Sequence, residues 1–484
     1  MIRELLGRGE VAVIGLGRSG QAVSRLLARA GARVYASDGS RDAAVLAAAD
    51  SLKAIGVAVS AGAHDLQRIA RAVLVVVSPG VSPKAPPLTA ARASGVPIVS
   101  EIEVALNFLP TTRCIAVTGT NGKTTVTALI DQLLRSLGVD AVAAGNIGTP
   151  LSEVALREVP PAWVALEISS FQLHDTPSLA PVVGVLTNLA PDHLDRYDTL
   201  DDYYADKMRL FARATPVSRW VVNGDDAEVM RRTGGIAGTR YSFSLRAEAL
   251  GIGGMAGMAG MASMAGMASM ASAGGLAPSA APASQADRWT VVGHDLLSRA
   301  DIPLLGDHNV ANVLAAMLAV AVADPEYSTP EALARLVRGV RAFRGMPHRL
   351  EIVAERDHVL WINDSKATNV ASTRVALDGM TRPTVVLLGG RHKGEPYTAL
   401  LDGLARHARA VIAYGESAAL IAADLGGHVP LERIESSFED VMRRARALAQ
   451  PGDAVLLSPA CSSFDMFTNY EERGAEFRRL ATSV

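Results

Sequence analysis

The stretch Gly119-Thr120-Asn121-Gly122-Lys123-Thr124-Thr125 constrains this chain more than any other. An apolar run at 114–117 precedes it with the character of a buried strand. Residues 126–137 follow with apolar side chains at helical spacing. Strand, glycine loop, Lys-Thr and helix make the setting of a phosphate-binding loop. Glycines let backbone N–H groups turn inward around an anion, Lys123 reaches the outer phosphates, and Thr124 offers a hydroxyl to Mg2+. The spacing is shorter than the common G-x-x-x-x-G-K-[ST], because Val117 stands five positions before Gly122. The loop is a variant, and it is expected to bind ATP.

At about 150 residues per domain, 484 residues suggest about three domains. Lys plus Arg total 47 against 49 Asp plus Glu, so no charge excess calls for nucleic acid or a membrane surface. No apolar run approaches the roughly 18 residues of a membrane span, and the first residues do not read as a signal peptide. Cys114 and Cys461 stand far apart without metal spacing, as expected for buried thiols in a reducing cytoplasm.

Strand-like and helix-like segments alternate throughout, which predicts an α/β protein with three domains, each around a mostly parallel sheet. Residues 1–109 form the first. Residues 110–345 form the second, opened by the phosphate loop, and residues 346–484 the third. Within the second, six Met-Ala-Gly or Met-Ala-Ser triplets occupy 255–272 in a Gly/Ala/Ser-rich stretch at about 250–286. A period of three keeps to neither a helix face nor a strand face, so this reads as a flexible insertion in a surface connection.

Further motifs stand at predicted strand ends. Gly15-x-Gly17-x-x-Gly20 follows the first strand, and Asp38 ends the next. This is the dinucleotide pattern, with Asp38 placed for a ribose hydroxyl, and it suits NAD or another nucleoside diphosphate equally. Glu167 ends an apolar strand, where it can hold a Mg2+ that also touches Thr124. His193 follows the next strand, as a second metal ligand, a base or a structural residue. Asn309 and Asn312 share a face near a helix start and can read a purine edge or cap the helix. Three loops rich in basic and hydroxyl groups, at 363–369, 389–394 and 458–465, are expected to end neighbouring strands and bind a small anion.

Together these motifs resemble the Mur ligase family of ATP-dependent amide ligases. The likeness covers nearly the whole chain except the triplet insertion, and the short phosphate loop is the family's form. Asn363-Asp364-Ser365-Lys366-Ala367-Thr368-Asn369 and Ser458-Pro459-Ala460-Cys461-Ser462-Ser463 are similar to the D-glutamate-adding branch. The resemblance implies ATP, two Mg2+ ions, UDP-N-acetylmuramoyl-L-alanine and D-glutamate, joined through an acyl phosphate by a cytoplasmic monomer. It implies that Gly119, Thr120, Asn121, Gly122, Lys123, Thr124 and Thr125 hold phosphates and that Thr124 and Glu167 share one Mg2+. His193 and a carbamylated Lys207 would serve the second. Asn309, Asn312, Arg349 and Asp364 would meet ATP. Arg18, Ser19, Asp38, Ser78 and Asn146 would meet the UDP-linked acceptor. Thr368, Lys393, Ser463 and Tyr470 would meet D-glutamate, with Tyr470 standing where the resemblance has Phe. Other readings are a folylpolyglutamate-type ligase, which the 1–109 domain opposes, and a non-catalytic nucleotide-binding regulator, which Lys123, Glu167, His193 and Lys207 oppose.

Overall fold

The computed structural model describes residues 2–192, 197–245, 288–291 and 294–483. His193 and the triplet insertion lie outside the described residues. The chain divides into two compact units, Met1–Asp301 with Ala311–Arg341, and Ile302–Val310 with Ala342–Val484.

The first unit holds two parallel sheets. One comprises β1 (Glu10–Ile14), β2 (Arg33–Asp38), β3 (Ala58–Ala61), β4 (Leu74–Val77) and β5 (Ile98–Ser100), in the order β3-β2-β1-β4-β5. The other comprises β6 (Arg113–Thr118), β7 (Ala141–Gly145), β8 (Trp163–Glu167), β9 (Val183–Leu186), β10 (Arg219–Asn223) and β11 (Thr239–Phe243), in the order β11-β10-β9-β6-β8-β7. Unbroken apolar runs such as Val11–Ile14 and Leu74–Val77 are buried along their whole length, as parallel strands covered on both faces must be. An antiparallel hairpin, β12 (Arg288–Val291) with β13 (His294–Ser298), follows the insertion.

One apolar core joins the two sheets. It runs from Val11, Val13 and Val76 through Val104 and Ala105 to Ala116, Val164 and Leu166. A polar clamp reinforces the joint. The buried Glu101 carboxylate accepts from the backbone N–H groups of Leu151 (3.3 Å) and Ser152 (3.0 Å) and from the Ser152 hydroxyl (2.6 Å). Beside it the Ser100 N–H donates to the Asp175 carbonyl at 2.8 Å, and Glu103 accepts from the Ser178 N–H at 3.0 Å.

The second unit holds β14 (Glu351–Arg356), β15 (Val359–Asn363), β16 (Thr384–Gly389), β17 (Ala408–Tyr414), β18 (Leu431–Ile434) and β19 (Ala454–Leu457). Their order is β14-β15-β19-β16-β17-β18, parallel except for the antiparallel edge strand β14. Because β19 inserts between β15 and β16, the three loops singled out in the sequence do end adjacent strands. In open α/β sheets such a crossover places those loop ends around one crevice.

Candidate active site

In the first unit the phosphate loop leaves β6 and enters the helix Lys123–Ser136. Gly119 (φ +144°) and Gly122 (φ +80°) take conformations that L side chains avoid. A Cβ on Gly119 would strike the Thr187 hydroxyl, and one on Gly122 would strike the Asn312 amide oxygen. The neighbouring strand end buttresses the loop. Thr120 N–H donates to the Asn188 carbonyl (3.0 Å), Asn121 N–H donates to the Asn188 side chain (2.9 Å), and the Thr187 hydroxyl donates to the Asn121 carbonyl (2.6 Å). Lys123 folds over the loop, its Nζ 3.0 Å from the Gly119 carbonyl and 2.7 Å from that of Thr120. Thr124 is half-buried at the first turn and Thr125 is buried behind it.

Lys207, on the helix Leu200–Met208, is 1% exposed. Its Nζ donates to the Gly119 carbonyl at 2.7 Å and lies 4.5 Å from the centre of the Tyr203 ring. Two lysine side chains therefore converge on one carbonyl oxygen. Burial first, and the Lys123 charge second, pull the Lys207 amine down to about 6, against weaker opposition from Asp192 and Asp206. The amine is thus largely neutral near pH 7.

Glu167 ends β8, paired in register with Val117 of β6. The side chain is 2% exposed. Oε1 accepts from the Asn146 amide at 2.8 Å, and the Asn146 N–H donates to the Glu167 carbonyl at 2.9 Å. Oε2 is buried with no hydrogen-bond partner. A buried carboxylate oxygen left unmatched suits a cation. Among the described residues no group of three or more His, Cys, Asp and Glu could by itself hold a metal.

In the first sheet, Arg18 and Ser19 open the helix Arg18–Arg29 directly after the glycine turn, Arg18 exposed and Ser19 half-buried. Asp38 braces that turn through Oδ2, which accepts from the Leu16 N–H at 2.8 Å, while Oδ1 accepts from the Ser40 N–H at 2.9 Å in the loop that follows β2. The Ser78 hydroxyl, after β4, donates to the Gly15 carbonyl at 3.2 Å. β1 and β4 are neighbours on either side of the point where strand order reverses, the ligand-binding position of such sheets. A cavity of about 450 Å3 extends from Ser78 toward Phe171 and Tyr197 of the second sheet's side, whose rings stack 5.2 Å apart.

Asn309 and Asn312 lie on one helix, Asp307–Ala321. The Asn309 amide donates to the Leu305 carbonyl at 2.8 Å, while Asn312 covers Gly122 within the first unit.

In the second unit Lys393 Nζ donates to the Thr368 hydroxyl at 3.2 Å, bringing together two of the expected amino-acid ligands. Ser463 is buried in the loop after β19. Backbone hydrogen bonds between Arg391 and Ser462, in both directions, pair that loop with the one after β16. Tyr470 begins the helix Tyr470–Thr482, with Lys366 Nζ 5.5 Å from its ring centre. Asp364 is buried. Burial raises its carboxyl to about 7 against the Ser458 hydroxyl (2.8 Å), the Leu350 N–H (3.2 Å) and the charge of Arg349.

Arg473 escaped the sequence reading. Its guanidinium is fully buried among neutral acceptors: the Ser365 hydroxyl (3.0 Å) and carbonyl (2.9 Å), the Cys461 carbonyl (3.2 Å) and the Gly389 carbonyl (3.5 Å). One side chain thus ties all three strand-end loops. The available signal was its place one turn after Tyr470 and one turn before Phe477, on the apolar face of the last helix.

A model of the Mur ligase MurD-like N-terminal domain matches residues 9–100, one of the Mur ligase middle domain 117–320, and one of the Mur ligase glutamate ligase domain 348–461. The chain is 36% identical to the UDP-N-acetylmuramoylalanine–D-glutamate ligase of Desulfatibacillum aliphaticivorans over 99% of both chains. It is 40% identical to the enzyme of the same name from Anaeromyxobacter dehalogenans, over 98% of this chain and 97% of that one. The fold is similar to that of the solved UDP-N-acetylmuramate–alanine ligase from Thermotoga maritima, with a TM-score of 0.56 and 18% identity over 98% of this chain and 100% of that one.

Proposed function

Because the chain belongs to the Mur ligase family, we propose that it is an ATP-dependent ligase that adds D-glutamate to UDP-N-acetylmuramoyl-L-alanine in peptidoglycan precursor synthesis. The names of relatives 36% and 40% identical over almost the full chain support the substrates. The observation that carries the chemistry is the convergence of Lys123 and the buried Lys207 on the Gly119 carbonyl.

In this reading the phosphate loop and Lys123 orient ATP so that its terminal phosphoryl group passes to the acceptor's free carboxylate. ADP leaves, and an acyl phosphate remains. The amine of D-glutamate attacks the acyl carbon, the amide bond forms and phosphate departs. Positioning and charge stabilisation supply most of the rate. Glu167 and Thr124 would hold one Mg2+, whose chemistry is neutralisation of phosphate charge. A neutral Lys207 is the form that can take up CO2 as a carbamate, releasing a proton and presenting anionic oxygens to a second cation. Arg18, Ser19, Asp38, Ser78 and Asn146 would hold the acceptor, Asn309, Asn312, Arg349 and Asp364 the nucleotide, and Thr368, Lys393, Ser463 and Tyr470 the amino acid. The reading keeps boundaries near 109 and 345, which the three matched segments support. It takes the protein as a cytoplasmic monomer, a location that two free, buried thiols support.

The test is an ADP-release assay with each substrate omitted in turn. Release that requires both UDP-N-acetylmuramoyl-L-alanine and D-glutamate is expected. Equal turnover with L-glutamate or a diamino acid in place of D-glutamate would sink the reading.

A further inference from the structure

Tyr397 is fully buried behind the loop that carries Lys393, and its hydroxyl joins two side chains from different loops. It lies 3.0 Å from His392 Nδ1 and 2.9 Å from Cys461 Sγ. Cys461 Sγ is in turn 3.2 Å from the Ser417 hydroxyl, which donates to the Gly390 carbonyl at 2.5 Å.

Proton counting gives this chain one direction. Ser417 has a single hydroxyl proton, spent on Gly390, so toward Cys461 it accepts. The thiol's one proton is thereby committed to Ser417, and toward Tyr397 the sulfur accepts. The Tyr397 proton is spent on sulfur, so its oxygen accepts from His392 Nδ1–H. Burial holds the protons of both Tyr397 and Cys461 in place, raising both groups above their ordinary values. His392 is therefore fixed with its proton on Nδ1 and its ring turned toward Tyr397.

Within these contacts His392 is one residue from Lys393, and Cys461 is two from Ser463. We propose that Tyr397 is a positioning residue for the amino-acid substrate. It acts through His392 and Cys461 to hold Lys393 and Ser463 in register. The inference rests on the D-glutamate reading of the site. A phenylalanine at this position fills the same space but removes the partner of the half-buried His392 N–H and of the buried Cys461 sulfur, which loosens both loops.

Steady-state ADP release by the full chain tests this with Tyr397→Phe, Cys461→Ala and Cys461→Ser. Tyr397→Phe and Cys461→Ala should raise the KM for D-glutamate about tenfold, the factor that about 1.4 kcal/mol gives. The KM values for ATP and for the UDP-linked acceptor should stay within about twofold. Cys461→Ser keeps one donor and one acceptor and should stay near the parent enzyme. The proposal is overturned if Tyr397→Phe leaves the D-glutamate KM within about twofold, if all three KM values rise together, or if Cys461→Ser is as impaired as Cys461→Ala. Failure of the parent enzyme to require D-glutamate would instead refute the underlying functional reading.

Discussion

Lys207→Met should abolish turnover and stabilise the first unit, with the stabilisation fading as pH rises. The Lys207 amine falls from an ordinary 10.5 to about 6 in the folded chain. Between those values the unfolded chain keeps a proton that the folded chain has lost, so stability rises with pH. Below about pH 6 both states are protonated and the penalty of burying the charge is complete. At about pH 7 some 3.5 pK units remain, or about 5 kcal/mol at about 1.4 kcal/mol per unit. Local relaxation would reduce this to roughly half, and the lost hydrogen bond to Gly119 subtracts about 1 kcal/mol. A net gain of about 1–4 kcal/mol is expected at about pH 7, shrinking by up to about 1.4 kcal/mol per pH unit. Urea unfolding in CO2-free buffer at several pH values measures it. A Trp361→Phe background leaves the tryptophan signal to the first unit, which contains Trp163, Trp220 and Trp289. Parallel stability–pH curves for parent and variant, or a variant less stable at about pH 7, would refute the assignment of a neutral, buried amine.

Glu167→Gln should fold normally and lose about 100-fold or more in kcat, because the orphan Oε2 is replaced by a group without charge; a loss under tenfold in the ADP assay would exclude a cation role. Asp364, raised to about 7, is still protonated in the folded chain over a range where the unfolded chain has ionised, so its contribution lowers stability as pH rises from about 4 to 7. Asp364→Asn should therefore be about 1–3 kcal/mol more stable than the parent at about pH 8 while losing ATP-dependent turnover, and a less stable variant in urea unfolding would contradict this. Deleting residues 250–286 should leave kcat and all KM values within about twofold, since a Gly/Ala/Ser/Met stretch brings no group that the reaction uses. A larger change in the same assay would assign it a role.

Strand-end chemistry was legible in the sequence because parallel strands are short, apolar and abruptly followed by polar loops. The loops after β6, β8, β15, β16 and β19 stood out on that contrast alone. Their adjacency around β19 was harder, since a crossover depends on packing between distant segments. Asp38 illustrates a partial reading: its place at the end of β2 was evident, but not that one oxygen braces the glycine turn while the other holds the loop that follows β2. Asn309 was open between purine contact and capping, and its amide meets the Leu305 carbonyl. Arg473, Tyr397 and Cys461 stayed invisible as a group because tertiary contacts, not spacing, bring them together.

The clamp at Glu101 fixes more than a joint between sheets. A carboxyl group raised in pKa by burial and held by two N–H groups and a hydroxyl leaves that seam little freedom to slide. The loop of the first sheet that would carry the acceptor and the loop of the second that would carry ATP then share one frame. On the proposed reading, the gap between attacking carboxylate and phosphoryl donor would be set by this seam, and forming the acyl phosphate would call for no adjustment across it. Substitutions at Glu101 should consequently register as mis-timed chemistry at a distance, a slower first half-reaction with both ligands still bound.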